Sequence, residues 1–207
     1  MPVKEVILVG AFHEMIELTE SCGFTIAGIF DNTLAGSYLD YPILGTDQDA
    51  GKFFNQYGKI PVVITPDQPR LRSKLAAYYK ALGYRFTNLI SPHARLSRFC
   101  HIGNGVVIQD LVNISSHVTI HDFVKLNSLC NIMHDSVIGE FSTVAPNAVV
   151  LGRITIGNHT YIGANSTILS EKIIGCSVIV GAGAVVTKDV LDNQVVIGNP
   201  ARKMPTP

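Results

Sequence analysis

Ile156-Gly157-Asn158-His159-Thr160-Tyr161-Ile162-Gly163-Ala164-Asn165-Ser166-Thr167-Ile168 contains two successive copies of a six-residue pattern. Outward from it, every sixth residue is aliphatic: Ile90, Leu96, Ile102, Ile108, Ile114, Ile120, Leu126, Ile132, Ile138, Val144, Val150, Ile156, Ile162, Ile168, Ile174, Val180 and Val186. The register does not slip once. Four residues after each lies a mostly small or β-branched residue, such as Ala94, Val106, Val118, Ala148, Thr160 and Ala184, with Lys172 out of character. A period of six matches neither a helix, at about 3.6, nor a plain sheet, whose alternation of two has no reason to stop. It predicts short strands separated by tight corners, with the aliphatic and the small residue pointing inward. Glycine often follows the aliphatic residue, as in Ile102-Gly103 and Ile138-Gly139, and is expected to give the corner its backbone freedom. One hexapeptide cannot bury its inner face, whereas stacked coils bury a continuous column.

This repeat resembles that of the hexapeptide-repeat acyltransferases over about residues 90 to 203. The closing stretch Val180-Gly181-Ala182-Gly183-Ala184-Val185-Val186-Thr187-Lys188-Asp189-Val190, followed by Gly198-Asn199-Pro200-Ala201-Arg202, is similar to the family's C-terminal signature. The resemblance implies a left-handed parallel β-helix with three hexapeptides per coil, an exception to the usual right-handed crossover.

Residues 1–88 follow other periods and are expected to form a small β/α, Rossmann-like domain; residues 89–207 are the β-helix with a C-terminal tail. Val6-Ile7-Leu8-Val9, ending at Gly10, reads as a buried parallel strand, residues 12–22 as a helix and Phe24 to Phe30 as a second strand. Residues 47–57 suggest a helix and Pro61 to Thr65 a third strand. A last helix follows Asp67 and Pro69, with Leu71, Leu75, Tyr78, Tyr79 and Leu82 at helical spacing and Gly83 as its stop. Asp31 lies at the offset from Gly10 at which an acidic residue ends the second strand of a nucleotide-binding βαβ unit. Gly28-Ile29-Phe30-Asp31-Asn32 and the turn Tyr41-Pro42-Ile43-Leu44-Gly45-Thr46-Asp47 resemble one branch of the family. That branch holds the sialic acid O-acetyltransferases and the N-acetyltransferases of amino-bearing nucleotide sugars, of bacillosamine and perosamine type. The match implies sugar-nucleotide binding at Gly10, Asp31 and Asn32. Relatives usually have a glycine-rich turn after the first strand. Here it is Gly10-Ala11-Phe12-His13-Glu14-Met15, where Phe12 could obstruct a phosphate, so a purely structural role for the domain stays open.

Composition narrows the choice of partners. Lys plus Arg equals Asp plus Glu at 16 each, which argues against a basic nucleic-acid binder or a membrane-surface protein. No apolar run approaches the roughly 18 residues of a spanning helix, and no secretory leader is read at the N-terminus, so a cytoplasmic protein is expected. Cys22, Cys100, Cys130 and Cys176 are scattered without a CxxC, against a zinc ribbon or a disulfide scaffold.

With three hexapeptides per coil, residues eighteen apart stack in one column, about 4.8 Å from coil to coil. His134 then lies between Ser116 and Gly152, and Asp135 between His117 and Arg153. Ile132-Met133-His134-Asp135-Ser136-Val137-Ile138-Gly139 resembles the catalytic coil of the sugar acetyltransferases. The resemblance implies that His134 is the general base toward the acceptor nitrogen or hydroxyl and that Asp135 orients it. The N–H of Gly152 would face the thioester oxygen of acetyl-CoA. It implies direct transfer without an acyl-enzyme, and coenzyme A held near Gly152, Thr143, Gly181, Ala182 and Arg202, with Lys203 also within reach of its phosphates. It further implies a homotrimer with active sites between subunits, no metal, and a role in bacterial surface glycan biosynthesis.

An amino group on a nucleotide sugar is the first choice of acceptor, and a hydroxyl of a sialic-acid-like sugar the second. A γ-class carbonic anhydrase uses the same solenoid but needs three converging histidines. No two of the seven histidines are eighteen or thirty-six apart. A non-catalytic scaffold would leave the His134–Asp135 pair without a purpose.

Overall fold

The computed structural model describes residues 4–204; the first three residues of the N-terminal domain and the last three of the tail lie outside them. The chain opens with β1 (Lys4–Val9), α1 (His13–Ser21), β2 (Phe24–Phe30), β3 (Ser37–Tyr38) and β4 (Tyr41–Gly45). A single 3-10 turn, Asp47–Asp49, leads into α2 (Ala50–Tyr57), then β5 (Val62–Ile64) and α3 (Pro69–Ala81). The sheet order is β3-β4-β2-β1-β5, parallel except for the β3–β4 hairpin. The chain leaves β1 toward β2 on one side and returns to β5 on the other. The carboxyl ends of β1 and β5 therefore form the switch point at which such sheets bind ligands.

Two expectations need correction here. Tyr41 to Gly45 is a strand rather than a turn, and Thr46 then begins a capping box with Asp49. Helix α3 buries Pro69, Arg72, Ala76 and Tyr79, while Leu71 and Tyr78 are 41% and 39% exposed. Of the apolar residues at helical spacing, Tyr79, Leu75 and Leu82 face the core and Leu71 and Tyr78 do not, and the buried stripe also takes in an arginine.

From Leu89 onward the chain winds through two-residue strands that pair in parallel at a spacing of eighteen, as in Asn113 with Asn131 and Ile114 with Ile132. Three faces result. One begins at Arg95–Leu96, the second at His101–Ile102 and the third at Leu89–Ile90. The third face ends at Val195–Ile197, against which Arg202–Lys203 folds back antiparallel. The aliphatic residues fill the interior, from Ile108 and Ile114 to Val180 and Val186, each at most 1% exposed. Fully burying one such side chain contributes about 1.5–3 kcal/mol, so one slip of register would forfeit the column. Lys172 shares its column with Ile154 and Val190 but turns outward, its Nζ donating to the carbonyl of Glu171 at 3.3 Å.

The corners are not made as the sequence suggested. Their left-handed position is held by ordinary residues, among them His117 (φ 59°), Phe123 (56°), Asp135 (59°), Phe141 (59°), Arg153 (60°) and His159 (58°). Each costs about 1–2 kcal/mol of backbone strain. All of these but His117 are compensated by a hydrogen bond to the coil before, as Asp135 N–H donates to Ser116 O at 3.1 Å and Arg153 N–H to His134 O at 2.9 Å. The repeating glycines meet a different demand. A Cβ on Gly157 would lie 2.6 Å from the backbone N of Cys176, so the small residue permits close approach between coils.

The N-terminal sheet sits on the third face. Its α1 side packs Val6, Leu8 and Met15 with Leu89 and Val107 of the solenoid. Its other side holds an aromatic cluster of Phe30, Tyr79 and Tyr84. Arg72, 1% exposed, crosses from α3 into the solenoid. Its guanidinium donates to the carbonyls of Phe123 (2.8 Å), Phe141 (2.6 Å) and Ser142 (3.1 Å), to Thr143 Oγ1 (2.9 Å), and to the carbonyls of Pro66 (2.8 Å) and Asp67 (2.9 Å). Beside it, buried Lys125 donates to Thr65 O at 2.7 Å and pairs with Asp67 Oδ1 at 2.8 Å. Burial lowers the Arg72 pKa to about 10, so it remains protonated at neutral pH; burial also lowers Lys125, with Asp67 countering.

Candidate functional site

The corner between the first and second faces brings together the residues that the repeat assigned to one cluster. His134 is 47% exposed, and its Nδ1 lies 2.7 Å from Asp135 Oδ2. That bond requires Nδ1 to carry the proton, which leaves Nε2 with its lone pair. The free edge of the ring lies over Gly152: a Cβ there would stand 2.7 Å from both Nε2 and Cε1. Gly152 is thus the one residue type that lets the imidazole lie flat against the next coil. No acceptor among the described residues engages its N–H. A basic nitrogen beside an uncommitted amide N–H suits proton removal from a nucleophile together with stabilisation of a developing oxyanion.

Asp135 is shaped by its column. The hydrogen bond from His134, with the nearby charges of His117 and Arg153, holds its carboxyl below the ordinary value. Arg153 is itself fixed, its Nε and Nη2 both donating to Glu171 Oε1, at 3.0 and 2.7 Å. On the far side, His117 stacks on Phe99 at 5.7 Å.

The residues expected to hold coenzyme A are more scattered. Thr143 does not face a groove. It is fully buried under the N-terminal domain, accepting from Arg72 and donating to Asp67 O at 2.7 Å, so it belongs to the domain contact and not to a cofactor path. Gly181 donates its N–H to Val196 O at 2.8 Å, within the sheet ladder, which leaves it no amide for a ligand. Ala182 is exposed. Arg202 lines a cleft of about 260 Å³ with Lys188, Lys203 and Asp189.

In the N-terminal domain, Gly10, Asp31 and Asn32 line one cleft of about 200 Å³ at the switch point, with Pro66, Asp47 and Leu75. Gly10 (φ 97°) tolerates no side chain, since a Cβ would meet Thr65 Oγ1 at 2.6 Å. Asp31 Oδ2 accepts from Ala11 N–H, and Oδ1 from the Thr33 N–H and hydroxyl and from Leu34 N–H, at 2.7–3.1 Å. Partial burial pushes its carboxyl up, but these hydrogen bonds outweigh it and the pKa lies below the ordinary value. Asp31 therefore shapes the loop as well as facing the cleft. Asn32 exchanges hydrogen bonds with Asp47. Phe12 is 42% exposed and is not part of the cleft wall.

No group of three or more His, Cys, Asp or Glu among the described residues could hold a metal ion, and no described helix is long and apolar enough to cross a membrane. Sequence reasoning missed Arg72, Lys125 and Asp67. It also missed the column Phe123, Phe141 and His159, although their spacing of eighteen was visible.

Residues 135–170 match the family described as bacterial transferase hexapeptide (six repeats). The GDP-perosamine N-acetyltransferase of Escherichia coli O157:H7 is 31% identical over 145 residues, which cover 67% of this chain and 62% of that protein, less than two thirds of its length. Among solved structures, a variant of perosamine N-acetyltransferase from Caulobacter crescentus, with a histidine replaced by asparagine and in complex with CoA and GDP-perosamine, superposes with a TM-score of 0.93. It is 27% identical, over 100% of this chain and 99% of that one. WeeI from Acinetobacter baumannii AYE superposes with a TM-score of 0.86 at 29% identity, over 97% of this chain and 100% of that one. The acetyltransferase domain of PglB from Neisseria gonorrhoeae FA1090 gives 0.90 at 25%, with coverages of 97% and 100%.

Proposed function

We propose that this chain, a hexapeptide-repeat acyltransferase of the amino-nucleotide-sugar branch, transfers the acetyl group of acetyl-CoA to an amino group of a nucleotide-linked sugar. The observation that carries the reading is the His134 edge lying on Gly152 with Asp135 behind it. In the reaction the acceptor nitrogen attacks the thioester carbonyl and a C–N bond forms. His134 Nε2 takes the proton that the nitrogen sheds, and Asp135 stabilises the resulting imidazolium. The Gly152 N–H meets the charge on the carbonyl oxygen, and the C–S bond then breaks as the His134 imidazolium gives its proton to the departing sulfur, releasing the coenzyme A thiol. No acyl-enzyme forms.

The finer parts of the reading rest on the same relatives. Residues 1–88 form the domain that takes the sugar nucleotide, at the cleft of Gly10, Asp31 and Asn32. Residues 89–207 form the left-handed β-helix, and three chains join with each site between two of them. The enzyme works in the cytoplasm, in surface-glycan synthesis.

The test uses purified protein, acetyl-CoA and GDP-perosamine, following thiol release and the mass of the sugar product. N-acetylation is expected, with His134→Ala lowering turnover about a thousandfold while the circular dichroism spectrum is unchanged. Full turnover in that variant would refute the assigned base. Acetylation of a sialic-acid-like hydroxyl in place of the amine would refute the acceptor class.

A further inference from the structure

A cavity of about 550 Å³ lies where the start of α3 overhangs the later coils of the third face, lined by neither His134 nor Asp31. Its floor is the outward side of that face beyond the reach of the N-terminal domain: Tyr161, Ile179 and Val195. Along one wall runs a ladder of rings. Phe86 meets Phe123 edge-on at 4.9 Å, Phe123 stacks on Phe141 at 4.9 Å and 2°, and Phe141 stacks on His159 at 5.2 Å and 18°. The next position in this column is Ser177, and there the ladder stops and the cavity opens. Among the described residues the ladder thus ends at His159, and His159 and Ser177 both line the cavity.

The rim is polar and of mixed charge: Asp67 lines it as well as Arg70, and the Asp67 carboxylate is paired with buried Lys125 at 2.8 Å. Ser177, Asn193 and Gln68 offer hydrogen-bonding groups. Arg70, exposed, pairs with no carboxylate among the described residues, and it stands in the first turn of α3, whose N-terminus favours anions. A flat ring for His159, an apolar floor, hydrogen-bonding groups at the ring's edge and a cation beyond it together describe a nucleotide. The volume lies within the usual range for a ligand pocket.

We propose that this cavity is a nucleotide site in which a heteroaromatic base stacks on His159 at the level of Ser177 and its phosphate reaches Arg70. Both co-substrates of the proposed reaction carry such a group, the adenosine bisphosphate of coenzyme A and the nucleoside diphosphate of the sugar. The inference takes only its probes from that reading, and it is tested by binding without turnover.

Ser177→Phe is the deciding variant. Phe123 and Phe141 adopt the same left-handed backbone (φ 56° and 59°) as Ser177 (54°), so a phenyl ring is tolerated there and fills the place of the base. Calorimetric titrations with adenosine 3′,5′-bisphosphate and with GDP, on the full chain, give the two arms. Ser177→Phe is expected to melt no lower than the wild type and to weaken one of the two by tenfold or more. His159→Ala, which removes the platform, is expected to weaken the same probe about tenfold. Loss confined to the bisphosphate identifies coenzyme A as the source; loss confined to GDP identifies the sugar nucleotide and moves its base out of the Gly10 cleft proposed above. Unchanged affinity for both probes in both variants, or no binding of either by the wild type, overturns the proposal. So does a change in sedimentation with Ser177→Phe in place of any loss of affinity, which would make the cavity a contact between copies. Wild-type acetyl transfer is assayed separately, so failure here leaves the proposed reaction standing, and the reverse.

Discussion

At the corner that holds His134, the outward column runs Phe99, His117, Asp135, Arg153, Glu171; one corner further along the coil it runs Phe123, Phe141, His159, Ser177. The backbones are alike. Every residue from His117 and Phe123 onward is left-handed, and from Asp135 in the one column and Phe123 in the other each donates its N–H to a carbonyl of the preceding coil. Scaffold geometry therefore does not make one corner reactive and the other structural. In the first column charges of alternating sign stand in solvent beside a half-exposed imidazole. In the second, rings stack, and their main-chain carbonyls at Phe123 and Phe141 receive a guanidinium from another domain. The solenoid supplies fixed positions, and side chains alone decide what each corner does.

The largest stability effect that would separate the two is expected at Arg72. Replacing it by Met leaves three solenoid carbonyls and two of its own loop without their donor, in a buried site. The cost is about 3 kcal/mol, or roughly 6–12 °C in melting temperature for a chain of this size. Lys, a single point donor, should recover less than half of it. A melt of Arg72→Met within 2 °C of the wild type would mean that the domain is held by its apolar contacts at Leu89 and Val107 alone. The same substitution should leave the His134–Asp135 bond untouched, because that corner faces away from the domain contact.

The contrast also explains what could be read from the sequence. The solenoid was legible residue by residue because its period is local, and a spacing of eighteen converts directly into contact. That is why His134, Gly152 and Asp135 could be placed beside one another without coordinates. The same rule brought Phe123, Phe141 and His159 together, but aromatic residues at that spacing carry no chemistry until a neighbour leaves a gap. Arg72 was not legible at all. In the sequence it is a cation on a helix, where the bland expectation is a solvated face, and only docking of α3 onto the third face shows which carbonyls it meets. The βαβ order was readable from apolar runs. The β3–β4 hairpin was not, since Tyr41 to Gly45 is a partly exposed edge whose strand character comes from pairing with β2. Thr143 was misplaced for a related reason: the repeat fixes its column but does not say which face another domain covers.

Gly152→Ala sharpens the comparison at an intermediate scale. The added methyl meets the tip of the His134 ring and not backbone, and Gly152 lies outside the left-handed region, so the fold should absorb it with a melting change of about 3 °C or less. The ring must swing off the coil, carrying Nε2 away from the amide N–H. Turnover should fall about tenfold to a hundredfold, with a smaller change in KM for acetyl-CoA. If turnover is unchanged, contact between His134 and the neighbouring coil does not matter to the chemistry. The exposed corner would then resemble the buried one, with side chains held in place but not at work.

The smallest effect is expected from pH at Asp135. Its folded pKa lies below the ordinary 3.8, chiefly because His134 donates to it, so the pair stabilises the fold above pH 3.8 and the contribution is lost as pH falls below that value. Asp135→Asn removes the titration. The wild type should therefore melt slightly above the variant at pH 6, by about 2 °C at most for a solvent-exposed pair, and the gap should narrow as pH falls below 3.8. Added salt should narrow the gap at pH 6, because solvent-exposed charges are screened. The Arg72 contact, buried and protonated throughout that range, should respond to neither change. A gap that does not narrow below pH 3.8 would mean that Asp135 supports its corner through shape or hydrogen bonding that asparagine cannot reproduce, and the alternating charges of the column would have no part in holding it.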